Sequence, residues 1–226
     1  MKTVLLWGGG SQARIIESMI EEEHKDFKVQ NIFDPLINVP TFNTNVSFSN
    51  KLEDLIKIIS NVSYFIMCIG SSGYARYRIH DILKKYNLIS LPIISENAFI
   101  DKSVCFGEGI QVMPSAVLHK FIDIGNQCIF NTNSTVDHEC LIGNGVHIMP
   151  GATVAGRVQI SDFVTIGSNA TILPDLKIGE GAFIGAGSVI VQDVMPYSVM
   201  TGVPGKYQKR NKLIYDNTIL KSLETI

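Results

Sequence analysis

From Ile94 to Ile190 an aliphatic residue or Phe stands at every sixth position, with no member missing and no insertion that breaks the phase. The anchors are Ile94, Ile100, Phe106, Val112, Leu118, Ile124, Phe130, Val136, Ile142, Ile148, Val154, Ile160, Ile166, Ile172, Ile178, Ile184 and Ile190. Coincidental spacing does not sustain such a run. A second register falls four residues after the anchors and is often small: Ala98, Val104, Ala116, Cys128, Cys140, Ala152, Val158, Val164, Ala170, Ala182 and Ser188. Gly follows several anchors (Gly107, Gly125, Gly143, Gly167, Gly179 and Gly185). Period six suits a chain that lays down a short strand with one large inward residue and then turns a corner, where Gly is tolerated. Each coil buries its apolar face only against its neighbours, so stability belongs to the array. Cys128 and Cys140 read as small core residues.

Residues 1–90 follow a different pattern. A strand at Thr3–Trp7 enters Gly8-Gly9-Gly10-Ser11, and a helix spans Gln12–Glu23 with Ile15, Ile16, Met19 and Ile20 on one side. A second strand, Lys28–Phe33, ends at Asp34-Pro35. A helix at Leu52–Ile59, a strand at Tyr64–Ile69 entering Gly70-Ser71-Ser72-Gly73, and a helix at Ala75–Tyr86 complete the alternation. Strand–helix alternation predicts a small parallel α/β sheet of Rossmann type. Gly8-x-Gly10-x-x-Ala13 fits the glycine fingerprint of a phosphate-binding turn, and Asp34 closes the second strand where an acid commonly reads a ribose. About 90 residues leave room for little more than one mononucleotide half, so one nucleotide is favoured over NAD. The competing reading is a glycine turn that only packs the sheet.

His138 lies two positions after the anchor Val136, off the inward register, so its side chain is expected to point outward. Asp137 and Glu139 flank it and can fix its tautomer and raise its basicity. Spacing alone leaves an inert surface histidine as the alternative.

The hexad pattern resembles the hexapeptide-repeat family, in which three hexads form one coil of a left-handed parallel β-helix. Asp137-His138-Glu139-Cys140, Ala155-Gly156-Arg157-Val158 one coil later and the ending Gly202-Val203-Pro204-Gly205-Lys206 are similar to the sugar acyltransferases of that family. These include the sialic acid O-acetyltransferases and the UDP-4-amino-sugar N-acetyltransferase of bacillosamine synthesis. The resemblance covers residues 1 to about 210. It implies three regions: a nucleotide-sugar-binding domain at 1–92, a β-helix acyltransferase domain at 93–200 and a tail at 201–226 that closes on coenzyme A. It implies His138 as general base, Glu139 as its support and the Gly156 N–H as donor to the thioester. Gly167, Ser168, Gly185 and Ala186 are implied to line the coenzyme A groove, with Lys206 at the nucleotide end. Asn131 and His147 match polar residues near the site, and Gly8, Gly10, Ser11, Asp34, Gly70 and Ser71 match the nucleotide-sugar site. The implied reaction is direct transfer of acetyl from acetyl-CoA to a nucleotide-linked amino sugar, a 4-amino-4,6-dideoxy sugar, within a homotrimer. The chain departs from the pattern at Gln12, where many relatives carry His, and at Asp34-Pro35, where the bacillosamine enzyme has two acids. Both departures bear on the base of the nucleotide.

The totals set outer bounds. A formal net charge of -2 gives no bulk attraction to nucleic acid or membrane. Val4-Leu5-Leu6-Trp7 runs into glycines, so neither a signal peptide nor a membrane span is expected at the N-terminus. Cys68, Cys105, Cys128 and Cys140 form no C-x-x-C pair, and the histidines do not fall at ligand spacing, so no metal is expected. Reduced cysteines favour a cytoplasmic setting. Three alternatives remain open: O-acetylation of a free sugar such as sialic acid, a non-catalytic nucleotide-sugar-binding protein, and a bifunctional NAD enzyme.

Overall fold

The structure, a computed structural model, describes residues 1–213 and 217–224. Backbone contacts divide it into two units. The first holds Met1–Ser71, Ala75–Ile93 and the C-terminal helix Asn217–Glu224; the second holds Ser72–Tyr74 and residues 94–213.

The second unit is a three-faced parallel β-helix. Its short strands pair at a constant step of one coil: Phe99 with Val117, Val117 with Thr135, and Thr135 with Thr153. The first face begins with Ile93–Ile94 and repeats through Ile129–Phe130, His147–Ile148, Thr165–Ile166 and Phe183–Ile184. The second runs from Phe99–Ile100 through Thr135–Val136 and Thr153–Val154 to Val189–Ile190. The third runs from Cys105–Phe106 to Lys177–Ile178. Both registers read from the sequence point inward. Val136, Ile148, Val154, Ile166, Ile172 and Ile184 are fully buried, as are Ala116, Cys128, Cys140, Ala152, Val158, Val164, Ala170, Ala182 and Ser188. Burying one such anchor contributes about 1.5–3 kcal/mol. The first coil departs from the pattern: Phe106 is 43% exposed and Ile94 and Ile100 are only partly buried, because no earlier coil covers them.

Corner chemistry also differs from the sequence expectation. Positive φ falls on the third residue after the anchor, at Phe121, Gln127, Asn133, Glu139, Arg157, Phe163, Asn169 and Asp175 among others. It does not fall on the glycines that directly follow the anchors. Those glycines answer to stacking instead: a Cβ on Gly143 would lie 2.8 Å from the Ser161 carbonyl carbon, and one on Gly167 would lie 2.5 Å from the Ile184 oxygen. Adjacent coils approach too closely there for a side chain.

The first unit is built on β1 (Lys2–Trp7), α1 (Ser11–Glu23), β2 (Phe27–Phe33), β3 (Ser47–Ser49), α2 (Leu52–Ile59), β4 (Tyr64–Met67), α3 (Gly73–Lys84) from Ala75 onward and β5 (Ile89–Ser90). The strands are parallel and ordered β3-β2-β1-β4-β5. Val4, Leu5 and Leu6 of β1 are fully buried, as befits a central parallel strand covered on both sides. The sequence reading missed the short strands β3 and β5, and it ended the fourth strand late, at Ile69.

The described residues after 200 fall into two pieces, and residues 214–216 and 225–226 of the expected tail lie outside the described residues. Ser198–Thr201 joins the first face of the β-helix and pairs antiparallel with Lys206–Arg210, whose residues are all exposed. Asn217–Glu224 is a helix of the first unit, where Leu220 and Leu223 are buried and Glu224 binds Arg78 at 2.6 Å.

Candidate active site

The turn after Thr135–Val136 carries His138 at the corner between the second and third faces, with the imidazole 38% exposed. Its Nδ1 lies 2.9 Å from Glu139 Oε2. An ionised carboxylate only accepts, so this contact puts the proton on Nδ1 and leaves the Nε2 lone pair free. Asp137 Oδ1 accepts the His138 backbone N–H at 2.8 Å, and the His138 carbonyl accepts the Arg157 N–H at 2.8 Å. Backbone and ring are therefore both fixed. Glu139 itself sits in the left-handed region, φ 59, an uncommon conformation for a glutamate.

Gly156 lies one coil below His138. A Cβ placed on it would stand 2.6 Å from His138 Nε2, 2.7 Å from Cε1 and 3.2 Å from Cδ2. Glycine at this position makes room for the imidazole, a role distinct from the N–H donor that the resemblance implies.

His138, Glu139 and Gly156 thus form one cluster, and the other residues that the resemblance implies for the acyl site do not join it within the chain. Asn131, Gly167 and Gly185 each follow a strand of the first face, with Ser168 and Ala186 next to the last two. They line a different corner. Asn131 Nδ2 contacts Nε2 of the nearly buried His147 at 3.3 Å. Lys206 stands on the exposed strand that ends the same face.

In the first unit, Gly8–Ser11 follows β1 and Gly70–Ser71 follows β4. These adjacent strands are where the chain order reverses, the place where open α/β sheets take ligands. Gly8 has φ +116, and a Cβ there would meet the Cys68 oxygen at 2.7 Å; Gly10 and Gly70 instead face open space. Gly10 caps α1 without any side-chain hydrogen bond. Asp34 spends its carboxylate on the chain itself: Oδ2 accepts the Gly9 N–H at 2.9 Å and Oδ1 the Leu36 N–H at 3.0 Å. Buried Arg76 reaches the carbonyls of Ile69 and Gly70 at 2.9 and 3.4 Å, fixing the second loop.

Two features near His138 escaped the sequence reading. Arg157 grips Asp175 through Nε and Nη2 at 2.6 and 2.8 Å. These hydrogen bonds hold the Asp175 carboxyl below the usual carboxylate range and raise the guanidinium further. His119 lies 3.7 Å from Asp137. The signal was available as an eighteen-residue step, which stacks Glu139, Arg157 and Asp175 on one edge. Cys140, a core residue as its register predicts, turns its thiol inward toward the Ala155 carbonyl at 3.2 Å, and burial pushes it up to about 11. It is no nucleophile at neutral pH. Among the described residues no cluster of three metal-ligating side chains occurs, and no helix is long and apolar enough to cross a membrane.

The bacterial transferase hexapeptide (six repeats) model matches residues 139–172 and 157–192. No curated protein matches the chain. Among solved structures, PerB from Caulobacter crescentus, determined with CoA and GDP-perosamine, is 25% identical and superposes with a TM-score of 0.82 over 92% of this chain and 98% of its own. Further structures are of that GDP-perosamine N-acetyltransferase with one histidine replaced by alanine (25% identical) or asparagine (24%). The acetyltransferase domain of PglB from Neisseria gonorrhoeae, with acetyl coenzyme A, has a TM-score of 0.79 at 24% identity over 92% of this chain and 99% of its own. WeeI from Acinetobacter baumannii has a TM-score of 0.76 at 23% identity over 92% of this chain and 100% of its own. The last two support the fold.

Proposed function

We propose that the chain, which matches the bacterial transferase hexapeptide model over residues 139–192, is an acetyl-CoA-dependent N-acetyltransferase acting on a nucleotide-linked amino sugar. The observation that carries the reading is the His138 cluster. Nδ1 is tied to Glu139, Nε2 is free, and Gly156 clears the space around the ring. His138 Nε2 takes a proton from the acceptor amine as the nitrogen attacks the thioester carbonyl. The new C–N bond forms, the C–S bond breaks, and the imidazolium returns its proton to the departing thiolate. The Gly156 N–H, which donates no hydrogen bond within the described chain, serves as oxyanion donor, a contribution of roughly 3 kcal/mol in known cases. The perosamine enzyme with one histidine replaced by alanine, determined with CoA and GDP-perosamine, supports a histidine at the centre of the reaction.

The first unit serves as a Rossmann-like nucleotide-sugar domain. Its strand order, the glycine loops at the point of chain reversal and the start of α1, which has no side-chain cap, support a diphosphate there. A free sugar would leave that loop without an anionic ligand. The acceptor is a 4-amino-4,6-dideoxy sugar. Asn131, Gly167, Ser168, Gly185, Ala186 and Lys206 line the coenzyme A groove. Their separation from His138, on another corner of the same β-helix, supports a homotrimer in which the site forms between two copies.

The test is release of free thiol from acetyl-CoA with UDP-, dTDP- and GDP-linked 4-amino sugars, set against free sialic acid. Thiol release with a nucleotide amino sugar is expected. Acetylation of the free sugar alone would overturn the reading.

A further inference from the structure

The left-handed corner residues that follow the second face form a column. Glu139, Arg157 and Asp175 have φ of 59, 60 and 65 and are separated by one coil each, so their side chains leave the same edge one above the other. Rungs of a parallel sheet are about 4.8 Å apart. The Arg157 guanidinium therefore stands between two carboxylates, one rung above and one below, and both are within reach of a long side chain. The two are used differently. Arg157 commits Nε and Nη2 to Asp175 at 2.6 and 2.8 Å and makes no hydrogen bond to Glu139, whose Oε2 is engaged with His138 Nδ1.

We propose that Asp175 is a positioning residue for the transfer reaction: by holding Arg157 in a two-point grip, it keeps that cation off Glu139 and so reserves Glu139 for the His138 ring. The inference rests on His138 acting as base. Arginine offers a planar fork that matches a carboxylate at two points, whereas an imidazole offers Glu139 a single N–H. Without Asp175 the better partner for Glu139 is Arg157. Glu139 then leaves Nδ1, the imidazole loses the contact that places its proton there, and Nε2 is no longer reliably the basic nitrogen. The groups around the ring are few. Glu139 and Asp137 flank it, Arg157 and Asp175 stand on the following coils, and Lys120 and His119 stand on the preceding one, with His119 near Asp137. The charge of Glu139 reaches Arg157 and that of His138 reaches Asp175, so the four side chains form one electrostatic unit.

The test is D175N. Asn tolerates left-handed φ better than most residues, and Asp175 is 58% exposed, so the fold is not at issue. Imidazole nitrogen NMR of the protein labelled at histidine, with the His138 signal identified by its loss in H138N, reads the tautomer directly. In the unmodified protein the neutral ring is expected to carry its proton on Nδ1. In D175N the balance is expected to move to Nε2–H, turnover to fall about tenfold, and the acid limb of the rate profile to move to lower pH. That loss is far smaller than the about 10⁴-fold known for removing a tautomer-fixing carboxylate itself. R157Q/D175N removes the competing cation and is expected to return all three readouts toward those of the unmodified protein. An unchanged tautomer in D175N, or no rescue in the double variant, overturns the inference. H138A separates the premise from the inference. If H138A stays active, the base reading falls and this inference with it. If H138A is inactive while D175N keeps the original tautomer, the present inference falls alone.

Discussion

Gly156→Ala is the sharpest probe of the site, because it adds one methyl group where the structure has an imidazole. The new Cβ would lie 2.6 Å from Nε2 and 2.7 Å from Cε1 of His138. Unstrained contacts between such atoms lie near 3.5 Å, so the ring must withdraw by about 1 Å. A misplacement of about 1 Å costs up to roughly 10²-fold in rate when it falls on the reacting geometry. The backbone gives no objection, since φ at Gly156 is not in the left-handed region. Gly→Ala at such a position stabilises by about 0.4–1 kcal/mol through the unfolded chain, which offsets part of any packing strain. Turnover should therefore fall by about 10²-fold while the melting temperature moves little. The assay is steady-state thiol release together with thermal unfolding. In an H138A background the same substitution should cost nothing further, because both changes act on one ring. Turnover within a few-fold of the unmodified enzyme, or a full additional loss in the H138A background, would refute this argument.

Four further expectations follow from the same geometry. H138A should reduce turnover by about 10²- to 10⁴-fold with little change in acetyl-CoA affinity, measured by steady-state kinetics and calorimetry. Asp34→Ala should raise the Michaelis constant for the nucleotide sugar and leave that for acetyl-CoA nearly unchanged, because the Gly9 and Leu36 N–H groups that shape the glycine loop lose their acceptor. Native-state alkylation followed by mass spectrometry should label exposed Cys105 first, with buried Cys68, Cys128 and Cys140 protected and Cys140 further disfavoured by a thiol pushed up to about 11. Acidification should weaken the Arg157–Asp175 pair in a fixed direction: the folded carboxyl titrates below the unfolded one, so its contribution is present above the unfolded value near ~3.9 and is lost as pH falls through the folded value. Comparing acid unfolding of D175N with that of the unmodified chain reads this term.

The β-helix was legible because its period is imposed by the chain's own geometry. One inward residue per hexad cannot be polar without breaking the stack, and the run from Ile94 to Ile190 never is. The corner conformation was harder to read. Left-handed φ usually advertises itself through Gly or Asn, whereas here Phe121, Glu139, Arg157 and Phe163 adopt it, held by coils above and below. The glycines seen in the sequence mark close approach between coils, so their meaning changed once the coils were stacked. Around the site, His138 and Glu139 could be paired because they are neighbours in sequence. Arg157 and Asp175 could not, since their relation to Glu139 appears only after the chain is wound at eighteen residues per coil. The Gly156 assignment shows the same limit: sequence marks the residue, and only three-dimensional placement shows that an imidazole occupies the space of its missing side chain.

The antiparallel strand Lys206–Arg210 lies at the last edge of the first face, beyond Ser198–Thr201. A stacked parallel array has no natural stopping point, because its final rung offers the same unpaired N–H and C=O groups that a further copy would fill. That is the geometry of a growing fibril end. Reversal of direction at Gly202–Gly205 breaks the parallel template, and Lys206, Lys209 and Arg210 then place like charges along the edge that an incoming strand would have to meet. Replacing these cations with neutral residues should leave the fold intact and lower the protein concentration at which end-to-end association begins.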